Sequence, residues 1–154
     1  MSNLQMQIKE TIFKAMQDLL EKNVNNDKLN AKDIDWLISL CSELKTRINK
    51  LTPSRKDLHT QLNSAVDVQL IKQMLENNAF ETKDAIDLIN FVFEHRLKKL
   101  CAPCQDEKVA EVHEKILNCE NFGKQISYLI MESNIIIDEI EKLHTEFMQG
   151  SIDS

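Results

Sequence analysis

The chain has 154 residues, a length that suits one domain (1–154) with a sizeable buried core. A net charge of −6 disfavours binding to nucleic acid or to an anionic membrane surface, since both attract Lys and Arg. Only two Gly and two Pro are present, which argues against a β-rich fold with many turns. The abundant Leu, Ile, Lys, Glu, Gln and Met favour helices instead. We therefore expect an all-α fold, an irregular bundle of about seven helices with a long C-terminal helix.

Targeting signals are not evident in the sequence. No segment approaches the roughly twenty apolar residues of a membrane-spanning helix, and the N-terminus lacks the basic and apolar blocks of a secretory signal. Four cysteines in such a chain are expected to be reduced thiols. The sequence therefore predicts a cytoplasmic protein, acting in the encoding cell or in a host cell.

The first two helices are predicted from apolar residues that recur every three or four positions. The first spans about 4–23, and a turn over 23–27 follows it. Its apolar stripe contains Leu4, Ile8, Ile12, Met16 and either Leu19 or Leu20. Asn30 is the expected N-cap of the second helix, about 31–50. Trp36 lies off the stripe of that helix, so it either covers another helix or is exposed.

The middle of the chain contains several helix boundary signals. Thr52 is expected to cap a short third helix with Pro53 in its first turn. Asp67 is expected to cap the fourth helix, and Asn77 and Asn78 to end it, because Asn tolerates the left-handed backbone conformation. The fifth helix, about 82–101, is apolar on several sides and should be central. A more polar sixth helix should follow at about 103–118.

The seventh helix, about 122–148, has the spacing of a heptad seam with one polar break. The seam consists of Ile126, Leu129, Ser133, Ile136, Ile140, Leu143 and Phe147. One interpretation is that this seam packs on the chain's own helices. The other is a homodimer or partner-helix interface, for which the candidate contact residues are Leu129, Ile136, Ile140 and Leu143.

The segment LKKLCAPCQDEKV (97–109) joins the fifth and sixth helices through a short break. Pro103 fits a first helical turn, where its missing N–H has no partner to lose. Acidic residues then follow near the positive end of the new helix dipole. We therefore interpret this segment as a corner between two helices.

The same segment resembles the signature of the T-complex protein 11 family, in which Leu-Cys-Ala-Pro precedes an Asp-Glu pair. Two further blocks, KETIFKAMQDLLEK (9–22) and LNSAVDVQLIKQMLEN (62–77), resemble that family in order and spacing, so the resemblance covers roughly 8–117. Here Cys104 and Gln105 stand where the family pattern has an aliphatic residue and Arg. The signature residues are Leu100, Cys101, Ala102, Pro103, Asp106 and Glu107.

The resemblance implies a non-enzymatic, all-helical regulatory or scaffold protein that binds another protein, in signalling linked to cyclic-AMP-dependent kinase. It also implies a short member, because relatives usually continue further. If the later helices of those relatives cover the seventh helix, a short member leaves apolar surface there bare or buries it in a partner. No cofactor is expected. Neither a catalytic motif nor a glycine-rich phosphate loop is present in the sequence.

An alternative function rests on Cys101 and Cys104, which form a CxxC pair. Such a pair can act as a redox dithiol or as half of a zinc site, for which His95, His113 and Cys119 are the nearest further ligands. Their spacing matches no standard zinc pattern, and a thioredoxin-like site needs strands that are not predicted. The competing interpretation is that Cys101 packs as a small apolar residue at a helix end.

Overall fold

Helices make up nearly all of the chain in the computed structural model, which describes residues 3–24, 29–100 and 106–153. No strand occurs in these ranges, so the all-α prediction is confirmed, including the long C-terminal helix. The helices are α1 (Asn3–Val24), α2 (Ala31–Lys50), α3 (Lys56–Ala65), α4 (Val68–Glu76), α5 (Thr82–Asn90, then a π-helix over Phe91–Leu97 and an α-helical end at Lys98–Leu100), α6 (Asp106–Leu117) and α7 (Phe122–Asp153).

Several helix boundaries follow from local bonds between a side chain and the backbone. The Asn30 side chain accepts a hydrogen bond from the Asp33 N–H at 2.9 Å, which fixes the start of α2 as predicted. The Asp67 side chain caps α4 in the same way, accepting from the Leu70 N–H at 3.2 Å. Asn78 has a φ of 51°, so it adopts the left-handed conformation expected just beyond α4. The predicted ends of these two helices are confirmed.

The corner between α2 and α3 differs from its prediction. We expected Thr52 to cap α3, but α3 begins at Lys56, with Arg55 in the capping position. The Thr52 backbone N–H bonds to the Asn49 carbonyl, and the Thr52 carbonyl accepts from the Arg55 N–H, so Thr52 and Pro53 belong to a separate turn. The Thr52 hydroxyl also accepts a hydrogen bond from Arg96, a distant residue in sequence that no local pattern could supply.

One apolar core receives side chains from every helix. It includes Met16 and Leu20 from α1, Leu62 from α3, Ile71 and Leu75 from α4, and Ile116 from α6, with larger contributions from α2, α5 and α7. Trp36 is half-buried against this core, which settles its position on the covered side of α2. The π-helical part of α5 buries Phe93 and Leu97 completely, so the prediction that this helix is central is confirmed.

α1 packs antiparallel along α7. Lys9 Nζ lies 3.0 Å from Asp138 Oδ2, and the Phe13 and Tyr128 rings stand 5.1 Å apart. Further along, Gly123 faces the backbone of Leu20: a Cβ built on Gly123 would lie 3.3 Å from the Leu20 carbonyl carbon. Because that neighbour is backbone and cannot turn aside, the glycine allows the two helices to approach closely.

Candidate functional site

The family-like corner lies only partly within the described ranges. Leu100 is half-buried against the core, and Glu107 is exposed on α6. Cys101, Ala102, Pro103 and Cys104 lie outside the described residues, and the side chain of Asp106 does too. The structure therefore does not test the CxxC hypothesis, which stays a prediction.

The other predicted metal ligands do not meet. Among the residues described, no group of three or more His, Cys, Asp or Glu side chains could hold a metal ion. His95 stacks on Phe91 with ring centroids 4.8 Å apart, while Cys119 is a half-buried free thiol on the turn before α7. Cys41, a second free thiol, lines the interior between α2 and α5, where burial raises its pKa to about 11 and Lys45 opposes the shift.

His113 is a buried ring that holds α6 on α5. It stacks almost parallel on Phe93, with centroids 4.9 Å apart, and its Nε2 lies 2.9 Å from Asn90 Oδ1. Burial lowers the pKa of His113, the charge of Lys98 lowers it further, and Glu94 opposes the shift. The ring is therefore used in packing as the neutral form.

The interior offers little space for a small molecule. The two best-formed cavities in the described part of the chain measure about 30 and 20 Å³ and share the apolar side chains of Cys41, Ile71 and Leu88. Ligand pockets typically exceed about 300 Å³, whereas these cavities have room for a water molecule or two.

The predicted contact residues of α7 lie mainly inside the molecule. Leu129, Ile136 and Ile140 are buried in the core. At these three positions the seam packs on the chain's own helices. Each of these residues keeps at most 5% of its surface exposed in the folded chain. Leu143 differs, with 40% of its surface exposed, and its part in a contact stays a prediction.

A ridge of exposed aliphatic side chains lies instead on α1. It consists of Leu4, Ile8 and Ile12, which are 66%, 50% and 39% exposed. The sequence pattern joins them to Met16 and Leu20 in one stripe, yet only those last two residues reach the core. We call Leu4, Ile8 and Ile12 the α1 ridge.

The orientation of α1 explains why the ridge is uncovered. Lys9 and Phe13 face α7, and each residue of an α-helix is rotated by about 100° from the one before it. Ile8 and Ile12 each precede one of these two residues, so they point about a quarter turn away from α7. The apolar stripe of α1 is therefore continuous in sequence, but its N-terminal half is exposed to solvent.

A polar cluster fixes this orientation. Asp138 on α7 accepts from Lys9 at 3.0 Å and from Arg47 at 2.7 Å, so one carboxylate ties α1 and α2 to α7. Arg47 also donates to Asn134 at 2.7 Å and to Glu141 at 3.2 Å. Burial raises the pKa of Asp138, but the hydrogen bonds and charges of Arg47 and Lys9 outweigh it and leave the pKa below its ordinary value.

Arg96 on the π-helix is the most unusual buried group, with 1% of its surface exposed. Its Nη1 donates to Asn49 Oδ1 at 3.2 Å and to the Leu58 carbonyl at 3.3 Å. Its Nη2 donates to the Ile48 carbonyl at 3.2 Å and to Thr52 Oγ1 at 2.8 Å, while its Nε is buried without a partner. These four bonds all end on uncharged oxygens.

A guanidinium at this place is favoured by the carbonyl end of α2, which carries a partial negative charge. Burial lowers the pKa of Arg96, and the more distant charge of Asp57 partly offsets this. The sequence patterns do not single out Arg96. The signal that the sequence does offer is an arginine in the segment FVFEHRL, which has four large apolar residues. An arginine buried among them needs hydrogen-bond acceptors or an opposite charge.

The fold and these sites define an all-helical protein whose described polar clusters bind its own helices together. The T-complex protein 11 family model matches residues 1–146, so the chain belongs to the T-complex protein 11 family, as its sequence blocks predicted. A human protein named T-complex protein 11 homolog is 28% identical over 112 residues, which are 72% of this chain and 21% of the human protein. No solved structure matches the chain. Among the described helices, none is long and apolar enough to span a membrane.

Proposed function

We propose that this chain is a non-enzymatic regulatory or scaffold protein that binds another protein through the α1 ridge. The observation that carries the proposal is the exposure of Leu4, Ile8 and Ile12 on a helix that an ion pair and a ring contact hold on α7. An aliphatic surface in a fixed position is what a partner can bury without first ordering it. A non-enzymatic role is further supported by Arg96, His113 and Cys41, which are engaged in helix packing.

The ridge matches an amphipathic helix of a partner protein. Its three side chains recur every four residues and extend over about 12 Å, because an α-helix rises about 1.5 Å per residue. Two such stripes interlock when helices pack side by side. Burying the exposed halves of three aliphatic side chains contributes about 1 kcal/mol each, enough to affect affinity strongly but not enough to bind alone.

The experiment compares two substitutions of equally exposed residues. Ile8→Asp changes the ridge, and Leu70→Asp changes an apolar residue of α4 that is 51% exposed. Tagged chains capture partners from cells, the partner is purified, and its dissociation constant is measured by calorimetry for each variant. We expect Ile8→Asp to weaken binding at least about tenfold, or 1.4 kcal/mol, while Leu70→Asp leaves it nearly unchanged.

Two results would contradict the proposal: equal weakening by both substitutions, or undiminished binding by Ile8→Asp. Circular dichroism of each variant controls for loss of fold. Analytical ultracentrifugation of the purified chain alone shows whether the partner is a second copy. A homodimer that Ile8→Asp leaves intact would place self-association on another surface, for which Leu143 is an exposed apolar residue in the described part of α7.

The process we propose is cytoplasmic signalling linked to cyclic-AMP-dependent kinase, as the resemblance implied. Membership of the family supports this process, and the aligned part is 21% of the human relative. Purified regulatory and catalytic subunits of that kinase should each be titrated into the chain. Binding of one subunit that Ile8→Asp weakens supports the link. If neither subunit binds, the link to this kinase is refuted. The capture experiment then still decides whether the α1 ridge binds a different protein.

A further inference from the structure

The turn between α2 and α3 presents a hydroxyl in an unusual setting. Thr52 is half-buried, and Pro53, Ser54 and Arg55 that follow it are exposed. A threonine followed by proline, with a basic residue two positions beyond the proline, is the acceptor pattern of proline-directed protein kinases. Lys56 extends the basic side of this pattern. A short sequence pattern alone is weak, so the surroundings of the hydroxyl decide its meaning.

The surroundings of the Thr52 hydroxyl include Arg96, which has one unused hydrogen-bond donor. Arg96 Nη2 donates to Thr52 Oγ1 at 2.8 Å, and Nε, on the same edge of the guanidinium, is buried and has no partner. That edge is a two-donor fork. The same fork binds an anion elsewhere in this chain: Arg55 donates from Nε at 3.0 Å and from Nη2 at 2.8 Å to the two carboxylate oxygens of Asp57. In Arg96, Nη2 of the corresponding fork donates to Thr52 Oγ1 and to the Ile48 carbonyl, while Nε donates to no oxygen.

We propose that Thr52 is a phosphorylation site for a proline-directed protein kinase, and that the buried fork of Arg96 binds the resulting phosphate. In the transfer, Thr52 Oγ1 bonds to the γ-phosphorus of ATP, and the bond from that phosphorus to the β,γ-bridging oxygen breaks. ADP leaves with that oxygen, and the hydroxyl proton passes to the catalytic carboxylate of the kinase. The product carries a charge of about −1.5 to −2 and three acceptor oxygens.

The electrostatics of the corner favour that product. A phosphate on Thr52 gains charge-assisted bonds from Arg96 Nη2 and from the free Nε. The phosphate is opposed by the partial charge at the carbonyl end of α2 and by the more distant carboxylate of Asp57, which is already paired with Arg55. The adjacent guanidinium of Arg96 carries a full positive charge and outweighs both. The modification therefore ties the α2–α3 corner more firmly to α5.

The kinase must open the turn before it can transfer the phosphoryl group. The Thr52 carbonyl accepts from the Arg55 N–H at 3.1 Å, and His59 Nε2 lies 2.7 Å from the same carbonyl. Opening these bonds is a local event that leaves the helices in place. We therefore expect the folded chain to be phosphorylated more slowly than a peptide of residues 48–59, but to completion.

The first experiment incubates the full chain with a purified cyclin-dependent kinase and ATP, and follows the intact mass. We expect one phosphoryl group, mapped to Thr52 by fragmentation. It should be absent in Thr52→Ala and in Pro53→Ala, and present in the neighbouring control Ser54→Ala. Phosphorylation of the peptide but not of the folded chain would overturn the proposal, as would transfer to Ser54 instead.

The second experiment measures the phosphate itself by phosphorus NMR as pH varies. An adjacent guanidinium stabilises the dianion, so the second pKa of phosphothreonine should be about one pH unit lower in the chain than in the phosphopeptide. Arg96→Lys, which keeps the charge but lacks the fork, should remove most of that difference. If Arg96→Lys fails to fold, the comparison of wild-type chain with peptide decides alone. Equal pKa values in both would refute binding by Arg96.

Discussion

Substitution of Arg96 by methionine and by lysine tests why a guanidinium is buried without a carboxylate. Each hydrogen bond to a charged group contributes about 1.5–3 kcal/mol, and Arg96 makes four of them. Against this gain, taking a cation out of water costs several kcal/mol. Methionine has a similar volume and removes both effects. The bond from the Leu51 N–H to the Ile48 carbonyl remains, so that acceptor keeps a partner.

These opposing contributions give an order of stabilities. We expect Arg96→Met to lower the free energy of unfolding by about 1–3 kcal/mol, because water can reach the half-buried Thr52 and Asn49 oxygens. Arg96→Lys should cost about 3–5 kcal/mol, because the charge stays buried while one ammonium cannot reach acceptors spread over α2, the turn and α3. The variant that keeps the charge is thus the less stable one.

Urea unfolding followed by far-ultraviolet circular dichroism measures this order at pH 7. Lys99→Met, an exposed substitution on the same helix, is the matched control and should change stability by less than about 0.5 kcal/mol. A buried lysine has a lowered pKa, so the unfolded Lys variant binds more protons and its stability should rise relative to the Met variant up to about pH 10. A methionine variant less stable than the lysine variant at pH 7 would refute this reasoning.

Three further predictions concern helix contacts and titration. Gly123→Val should destabilise the chain by about 2 kcal/mol in urea unfolding, because its side chain meets the backbone of Leu20; an unchanged midpoint would contradict the close approach. The pKa of His113 is lowered in the folded chain, so the unfolded chain binds more protons below about pH 6.5 and stability should fall from pH 7 to pH 5. His113→Phe should flatten this dependence, and an equally steep fall in the variant would assign it to other groups. Iodoacetamide at pH 8 should alkylate Cys119 well before Cys41, whose buried thiol has a pKa of about 11; equal rates in native chain, measured by peptide mapping, would show that the interior opens freely.

The elements that sequence predicts best here depend on neighbours in the chain. The start of α2 at Asn30 and of α4 at Asp67 each rest on a side chain that bonds to a backbone N–H three residues later. The end of α4 rests on the tolerance of Asn78 for a positive φ. Such bonds need no tertiary context, which is why residue types alone indicate them. The blocks that identified the family are likewise short and local.

The features that sequence did not predict depend on distant partners. Thr52 has the composition of a helix cap, but Arg96, 44 residues away, takes its hydroxyl. The exposure of Ile8 depends on the rotation of α1, which is set by the bond from Lys9 to Asp138, a carboxylate that Arg47 also binds from α2. Periodicity finds the apolar stripe of a helix but does not say how much of it a neighbour covers. The same limit applies to the α7 seam, where spacing left two interpretations open.

The π-helix over Phe91–Leu97 also makes the chain sensitive to length. A π-helix closes its turns with i→i+5 bonds, so it holds more residues per turn than the α-helix around it. Loss of a single residue there would remove the extra residue of the wide turn, so the segment could close into ordinary α-helix while the residues after it keep nearly the same orientation. Relaxation into α-helix without the loss of a residue would instead turn the end of the helix by about 100° about the axis and would swing Leu100 away from the interior. A deletion of one residue between 91 and 97 should accordingly be tolerated better than an insertion of one residue there.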